Sequence, residues 1–221
     1  MVKADSPLPN FPLPAPAVIA LVLAAGQSRR FGSDKRRALL ADGTPLLVAS
    51  LLQAQRHFAQ VYVLLRDGDD AQALGVPPGV EVLRCADAEL GMGHSLAAGI
   101  RALDKHPASA IAVLLGDMPW LSASTLQRLI GQAGPECIVF PCYQGQRGHP
   151  VLFGRQFWPQ LQQLTGDTGA KALLAAQPQV IHMDVVNAAS PPGAGAACIE
   201  VAVDDPGVLD DVDTPTALGM R

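Results

Sequence analysis

Cysteine is scarce in this sequence, and the four residues present are scattered: Cys85, Cys137, Cys142 and Cys198 form no CxxC pair and share no repeated spacing. That distribution argues against a zinc site and against a disulfide framework, and leaves reduced, partly buried thiols as the expectation. No run reaches the roughly 18 apolar residues of a membrane-crossing helix. The N-terminal stretch also lacks a basic region followed by an apolar segment of signal-peptide length, so a cytoplasmic protein without membrane contact is expected. An excess of positive charge is missing too. With 16 Lys and Arg against 20 Asp and Glu, the net charge is -4, and bulk charge gives no support for nucleic-acid binding. Any anion must be met by a local cluster. Internal repeats are absent.

What remains is apolar material, 49% of 221 residues, enough for one sizeable core and one domain over residues 17–221. Prolines at positions 7, 9, 12, 14 and 16 make residues 1–16 a poor helix or central strand, so a flexible leader is expected there. The stretch "NAASPPGAGAAC", Asn187 to Cys198, predicts a surface loop between two strands. Short runs rich in Val, Ile and Leu end at Leu23, Leu65, Arg84 and Gly116, each too short for a typical helix. Between them, Pro45 to Phe58 and His94 to Leu103 carry apolar residues at helical intervals, and Ser122 is placed to cap a helix running to Ile130. This alternation predicts an α/β fold with a mostly parallel sheet. In the common doubly wound order 3-2-1-4, the first and fourth strands lie side by side at a topological switch point, and the loops after them share one crevice.

The loop after the first strand reads "AAGQSRRFGSDK". Ala24, Ala25 and Gly26 are small enough for a ligand to approach backbone amides, and Arg30 and Lys35 add positive charge. There is no GxGxxG, and Lys35 is followed by arginine where a P-loop needs GK[ST], so the loop suggests a nucleotide-phosphate site of another type. A bland reading stands beside it: Arg29, Arg30, Lys35, Arg36 and Arg37 as a solvated positive face. Asp117 ends the fourth apolar run and reads either as a turn former or as a magnesium ligand across the crevice. The late cluster Asp204, Asp205, Asp210, Asp211 and Asp213 is of the kind that is usually solvated. His149, at the start of another strand in "QGQRGHPVLF", reads as structural or as ligand-binding.

The order of residue types in "AAGQSRRFGSDK" resembles AAGxSxRMGxxK of the MobA-like nucleotidyltransferases, with Phe31 in place of methionine. The resemblance runs from Val18 to Leu218, with its motifs in the expected order. It implies a single-domain, Rossmann-like three-layer fold. It also implies that Ala24, Ala25 and Gly26 bind nucleotide, Ser28 and Gly32 shape the turn, Arg30 meets the outer phosphates and Lys35 the reacting α-phosphate. "GDMP" is similar to the family's metal-binding motif, which assigns Asp117 to Mg2+. "DVDTP" resembles a DIDTP segment in which an aspartate completes the metal site, Asp213 being favoured over Asp211. "GMGHSLAAGI" resembles a segment beside the nucleotide base and implicates Ser95, while His94 stands where a small residue is common. "GHP" resembles the branch containing molybdenum cofactor cytidylyltransferases and assigns Gly148, His149 and Pro150 to the acceptor. "TGDTGAKALL" resembles GDxGAR, with Lys171 in the arginine position, and adds Asp167 and Lys171 to the acceptor side or to local structure.

The implied reaction is transfer of CMP from CTP to molybdopterin with release of pyrophosphate, CTP being favoured because AAG stands where guanylyltransferases of the family have GG. A molybdoenzyme or its maturation chaperone is the implied recipient. Two alternatives stay open: a nucleotidyltransferase for a sugar or alcohol phosphate, and a non-catalytic chaperone that binds the molybdenum cofactor.

Overall fold

The computed structural model of the chain describes residues 18–28, 31–167, 169–175, 180–183 and 197–212. The expected leader, and most of the loop expected over residues 187–198, lie outside them. In chain order the strands are β1 (Val18–Leu23), β2 (Val61–Arg66), β3 (Val80–Cys85), β4 (Ala110–Leu115), β5 (Cys137–Tyr143), β6 (Gln146–Arg147), β7 (Val151–Gly154), β8 (Val180–Met183) and β9 (Ala197–Ala202). The helices are α1 (Leu46–Gln55), α2 (Met92–Ala102), α3 (Ala123–Gln132), α4 (Trp158–Leu161) and α5 (Lys171–Ala175).

Successive residues of a strand point to opposite faces, so a strand that is apolar throughout must be covered on both. Along β1, Ala20 and Val22 join a core formed with Leu47 and Leu51 of α1 and Leu126 and Leu129 of α3. Ile19 and Leu21 join a second core with Leu96 and Ile100 of α2 and Trp158 and Leu161 of α4. The result is three layers, helix on sheet on helix. Ser122 caps α3 as its sequence predicts, its hydroxyl accepting from the Thr125 N–H at 3.1 Å. No helix among the described residues is long and apolar enough to cross a membrane.

The sheet order is β3-β2-β1-β4-β7-β5-β9-β8, with β6 paired to β5. The expected 3-2-1-4 order is present, and β1 pairs with β2 and β4 in parallel. Beyond β4 the sheet becomes mixed, because β7 runs antiparallel to both β4 and β5. All four cysteines are free and buried.

Candidate active site

The β1–β4 register runs from Val18 opposite Ala110 to Leu23 opposite Leu115. One further bond, from the Gly116 N–H to the Leu23 carbonyl at 3.0 Å, holds the strand ends together. Past that point the chains separate, one into the 24–28 loop and the other into the turn bearing Asp117. They open a cleft of about 410 Å³ whose lining includes Ala24, Ala25, Gly26, Ser28, Lys35, Ser95, Asp117, Asp167 and Asp211. Eight of these nine carry a sequence-predicted role, and Asp211 was the less favoured of two candidates. Ser28 adopts φ 50°, uncommon for a residue with a Cβ, and its buried Oγ has no hydrogen-bond partner among the described residues.

Lys35 opens a short 3-10 turn, Lys35–Arg37. Its ammonium lies 2.5 Å from Asp117 Oδ2 and donates to the Val212 carbonyl at 3.3 Å. Residues separated by 82 positions thus meet on the floor of the cleft. The Val212 N–H also donates to the Asp117 carbonyl at 3.2 Å, so the chain's acidic C-terminal segment crosses beside the same pair.

Arg36 was missed by sequence reading as anything more than a surface or steering charge. It is buried, and its guanidinium donates to the Ala24 carbonyl at 3.0 Å. It also meets both oxygens of Asp34, each at 2.8 Å, and Asp69 Oδ2 and Oδ1 at 2.5 and 2.8 Å. Arg66 adds a second ion pair to Asp69 at 3.0 Å. Hydrogen bonding to Arg36 holds the Asp34 carboxyl below the usual carboxylate range, outweighing its burial. Burial pushes Asp69 up, yet the bonds from Arg36 and Arg66 prevail and hold it far below. Burial disfavours the charged guanidinium as well, but the two carboxylates more than offset it and raise Arg36. The network fastens the carbonyl of Ala24 to the turn that presents Lys35.

The GHP segment does not line this cleft; it adjoins it at Asp117. The Gly148 N–H donates to the Pro141 carbonyl at 2.9 Å and the His149 N–H to the Val208 carbonyl at 2.8 Å, which fixes the segment ahead of β7. Burial lowers the His149 pKa from the ordinary imidazole value; the charge of Asp117 and a bond with the Val113 backbone oppose this, and Lys171 adds to it. Its Nδ1 is buried with no partner among the described residues. Gly32 is exposed and is not part of the cleft lining. Arg30 and Asp213 lie outside the described residues.

A divalent cation fits the donor set. Asp117 and Asp211 both line one cleft, and the cation that Asp117 meets in this structure is an ammonium. No group of three or more His, Cys, Asp or Glu side chains among the described residues is gathered to hold a metal.

The model of the MobA-like NTP transferase domain matches residues 20–180. The purine catabolism protein PucB of Bacillus subtilis is 32% identical over 215 residues, covering 93% of this chain and 96% of PucB. The nicotine blue oxidoreductase of Paenarthrobacter nicotinovorans is 30% identical over 182 residues, covering 76% of this chain and 86% of its own. Among solved structures, Rv0371c from Mycobacterium tuberculosis superposes with a TM-score of 0.74 at 29% identity, covering 93% of this chain and 96% of that one. A manganese complex of Rv0371c has a TM-score of 0.65 at 26% identity, with 85% and 88% covered.

Proposed function

The chain belongs to the MobA-like NTP transferase family and is a nucleotidyltransferase, and from that premise we propose that it transfers CMP from CTP to molybdopterin carrying molybdenum, releasing pyrophosphate. The observation that carries this reading is the Lys35–Asp117 pair, 2.5 Å apart on the cleft floor beneath the 24–28 loop. It joins a cation for a reacting phosphate to a carboxylate for a metal.

The acceptor's terminal phosphate oxygen attacks the α-phosphorus; a new P–O bond forms there while the bond to the bridging oxygen of the β-phosphate breaks, and pyrophosphate leaves with that electron pair. An ionised phosphate needs no strong base, so positioning and charge stabilisation supply the catalysis. Lys35 neutralises charge gathering on the equatorial oxygens of the α-phosphoryl group. Ala24, Ala25 and Gly26 bring backbone to the triphosphate, the Ser28 hydroxyl, without a partner among the described residues, meets it in the cleft, and Arg30 takes the outer phosphates. Ser95 lies on the base side. Asp117, with Asp211 or Asp213, holds Mg2+. When bound, the ion neutralises triphosphate charge and orients its oxygens. Gly148, His149, Pro150, Asp167 and Lys171 form the acceptor side, where burial disfavours the charged form of His149. PucB's name refers to purine catabolism, which agrees with a product destined for xanthine dehydrogenase-type molybdoenzymes.

The test is pyrophosphate release from CTP, GTP, ATP and UTP, each with molybdopterin carrying molybdenum and Mg2+. Release with CTP and conversion of the acceptor to its cytosine dinucleotide is the expected result. Turnover with GTP instead would overturn the nucleotide assignment. Turnover only with a sugar or alcohol phosphate would replace the acceptor. Cofactor binding without pyrophosphate would favour a chaperone role.

A further inference from the structure

Helix α2 begins in an unusual way. Gly91, the residue before it, has φ 118° and ψ 174°, and a Cβ there would stand 2.3 Å from Asp167 Oδ1 and 2.6 Å from the Gly166 carbonyl carbon. A Cβ on Gly93 would stand 2.7 Å from the Thr165 carbonyl oxygen. Both glycines are thus shaped to the 165–167 loop, which comes from a distant part of the chain. Two hydrogen bonds close the contact, one to the carbonyl and one from the N–H of the same residue, Gly166. The Gly93 N–H donates to the Gly166 carbonyl at 2.7 Å, and the Gly166 N–H donates to His94 Nδ1 at 3.0 Å. A backbone N–H can only donate, so Nδ1 must accept and the ring proton resides on Nε2. The approach of Nδ1 to the Leu90 carbonyl at 3.1 Å is then a contact without a shared proton.

The clasp joins two lining elements of the cleft. Ser95 follows His94 directly on α2, and Asp167 follows Gly166 directly on the loop. We infer that His94 is a positioning residue: by accepting from Gly166 it locks the acceptor-side loop, and with it Asp167, to the helix that carries the nucleotide-side Ser95. This rests on the proposed reading for the words acceptor and nucleotide, while the clasp itself does not. Alanine at 94 leaves the Gly166 N–H with no side-chain acceptor; asparagine offers an amide oxygen near the Nδ1 position and restores one.

The experiment uses the full chain in two arms. In the first, hydrogen–deuterium exchange without any ligand is followed for peptides covering 163–170. His94→Ala is expected to speed exchange there at least tenfold and leave the central strands unchanged, and His94→Asn to return it to within about threefold of the wild type. Gly93→Ala, which pushes Thr165 away without touching the imidazole, is expected to match His94→Ala. In the second arm, His94→Ala is expected to raise KM for molybdopterin at least fivefold while KM for CTP and kcat stay within twofold, with His94→Asn restoring the value. Unchanged exchange in His94→Ala overturns the clasp, and so does acceleration spread evenly over the whole sheet. Altered exchange with equal changes in both KM values overturns the positioning role. If the wild type releases no pyrophosphate, the proposed function fails, and the clasp stands or falls on the exchange arm alone.

Discussion

Lys35 and Arg36 are neighbours in sequence with opposite uses. The Lys35 ammonium is directed at Asp117 inside the cleft, and Arg36 is spent on Asp34, Asp69 and the Ala24 carbonyl. Replacing Lys35 by alanine is predicted to lower kcat at least tenfold, a loss of about 1.4 kcal/mol or more of transition-state stabilisation, with the fold intact. Steady-state pyrophosphate assays with circular dichroism check it, and unchanged turnover removes Lys35 from the mechanism. Asp69→Asn is predicted to act on stability instead, costing about 3 kcal/mol because a buried guanidinium loses a charged partner. The same pairs set a pH response. Asp34 and Asp69 both have folded-state values below the ordinary one, so their contribution is complete above about pH 4 and is lost as pH falls through the depressed values. Urea midpoints at pH 7 and in acid should therefore converge between wild type and Asp69→Asn as the pH drops; a constant difference would sink the assignment. Asp117 was singled out in the sequence because it directly follows a recognisable strand, and Lys35 because it stands in a loop that resembles AAGxSxRMGxxK. Arg36 was not. In a run of charges it resembles its neighbours, and what buries it is Asp69, 33 positions away.

The elements that follow a common α/β order were read correctly, the β1–β4 pairing included, while the place of β7 and of the C-terminal segment was not foreseen. β1 to β4 are short strands, with α1 between the first two and α2 between the last two, which limits them to few arrangements, so the 3-2-1-4 order and the crevice at its switch point followed from pattern alone. The insertion of β7 between β4 and β5 did not, since four apolar residues carry no label for their partners. The same limit hid the C-terminal strap. Asp205 belongs to an acidic run that looks solvated, yet it is buried, with Oδ1 accepting from the Gly207 N–H at 3.0 Å and Oδ2 from the Ser122 N–H at 2.9 Å. Those bonds start the segment that delivers the Val208 carbonyl to His149 and the Val212 carbonyl to Lys35. Asp205→Asn is predicted to replace one acceptor by an amide that can only donate, costing about 1–3 kcal/mol, and to lower turnover through displacement of the strap. Calorimetry and pyrophosphate assays on the same sample check both parts. A stable variant with full turnover would show that the strap holds without Asp205.

Considered as a whole, the molecule opens its cleft at the seam between the loops after β1 and β4: the parallel β3-β2-β1-β4 unit supplies the loop, Lys35 and Asp117, and the strap that follows β9 adds Asp211 and the Val212 carbonyl. A ligand spanning that seam binds the folded chain and has little to hold in the unfolded one, so binding must raise global stability by mass action. At a free concentration about 100 times Kd the gain is about 2.7 kcal/mol, which for a domain of this size corresponds to a Tm increase of roughly 5–11 °C. CTP with Mg2+ is predicted to give such a shift by differential scanning calorimetry, GTP a much smaller one at equal concentration, and chelation of the ion is predicted to remove most of the CTP effect. In Asp117→Ala the shift should become nearly independent of Mg2+, because the carboxylate that we propose holds the ion is gone. An undiminished Mg2+ dependence in that variant would place the ion elsewhere. Equal shifts with CTP and GTP would mean that the cleft reads triphosphate but not base, leaving the choice of nucleotide to the chemical step.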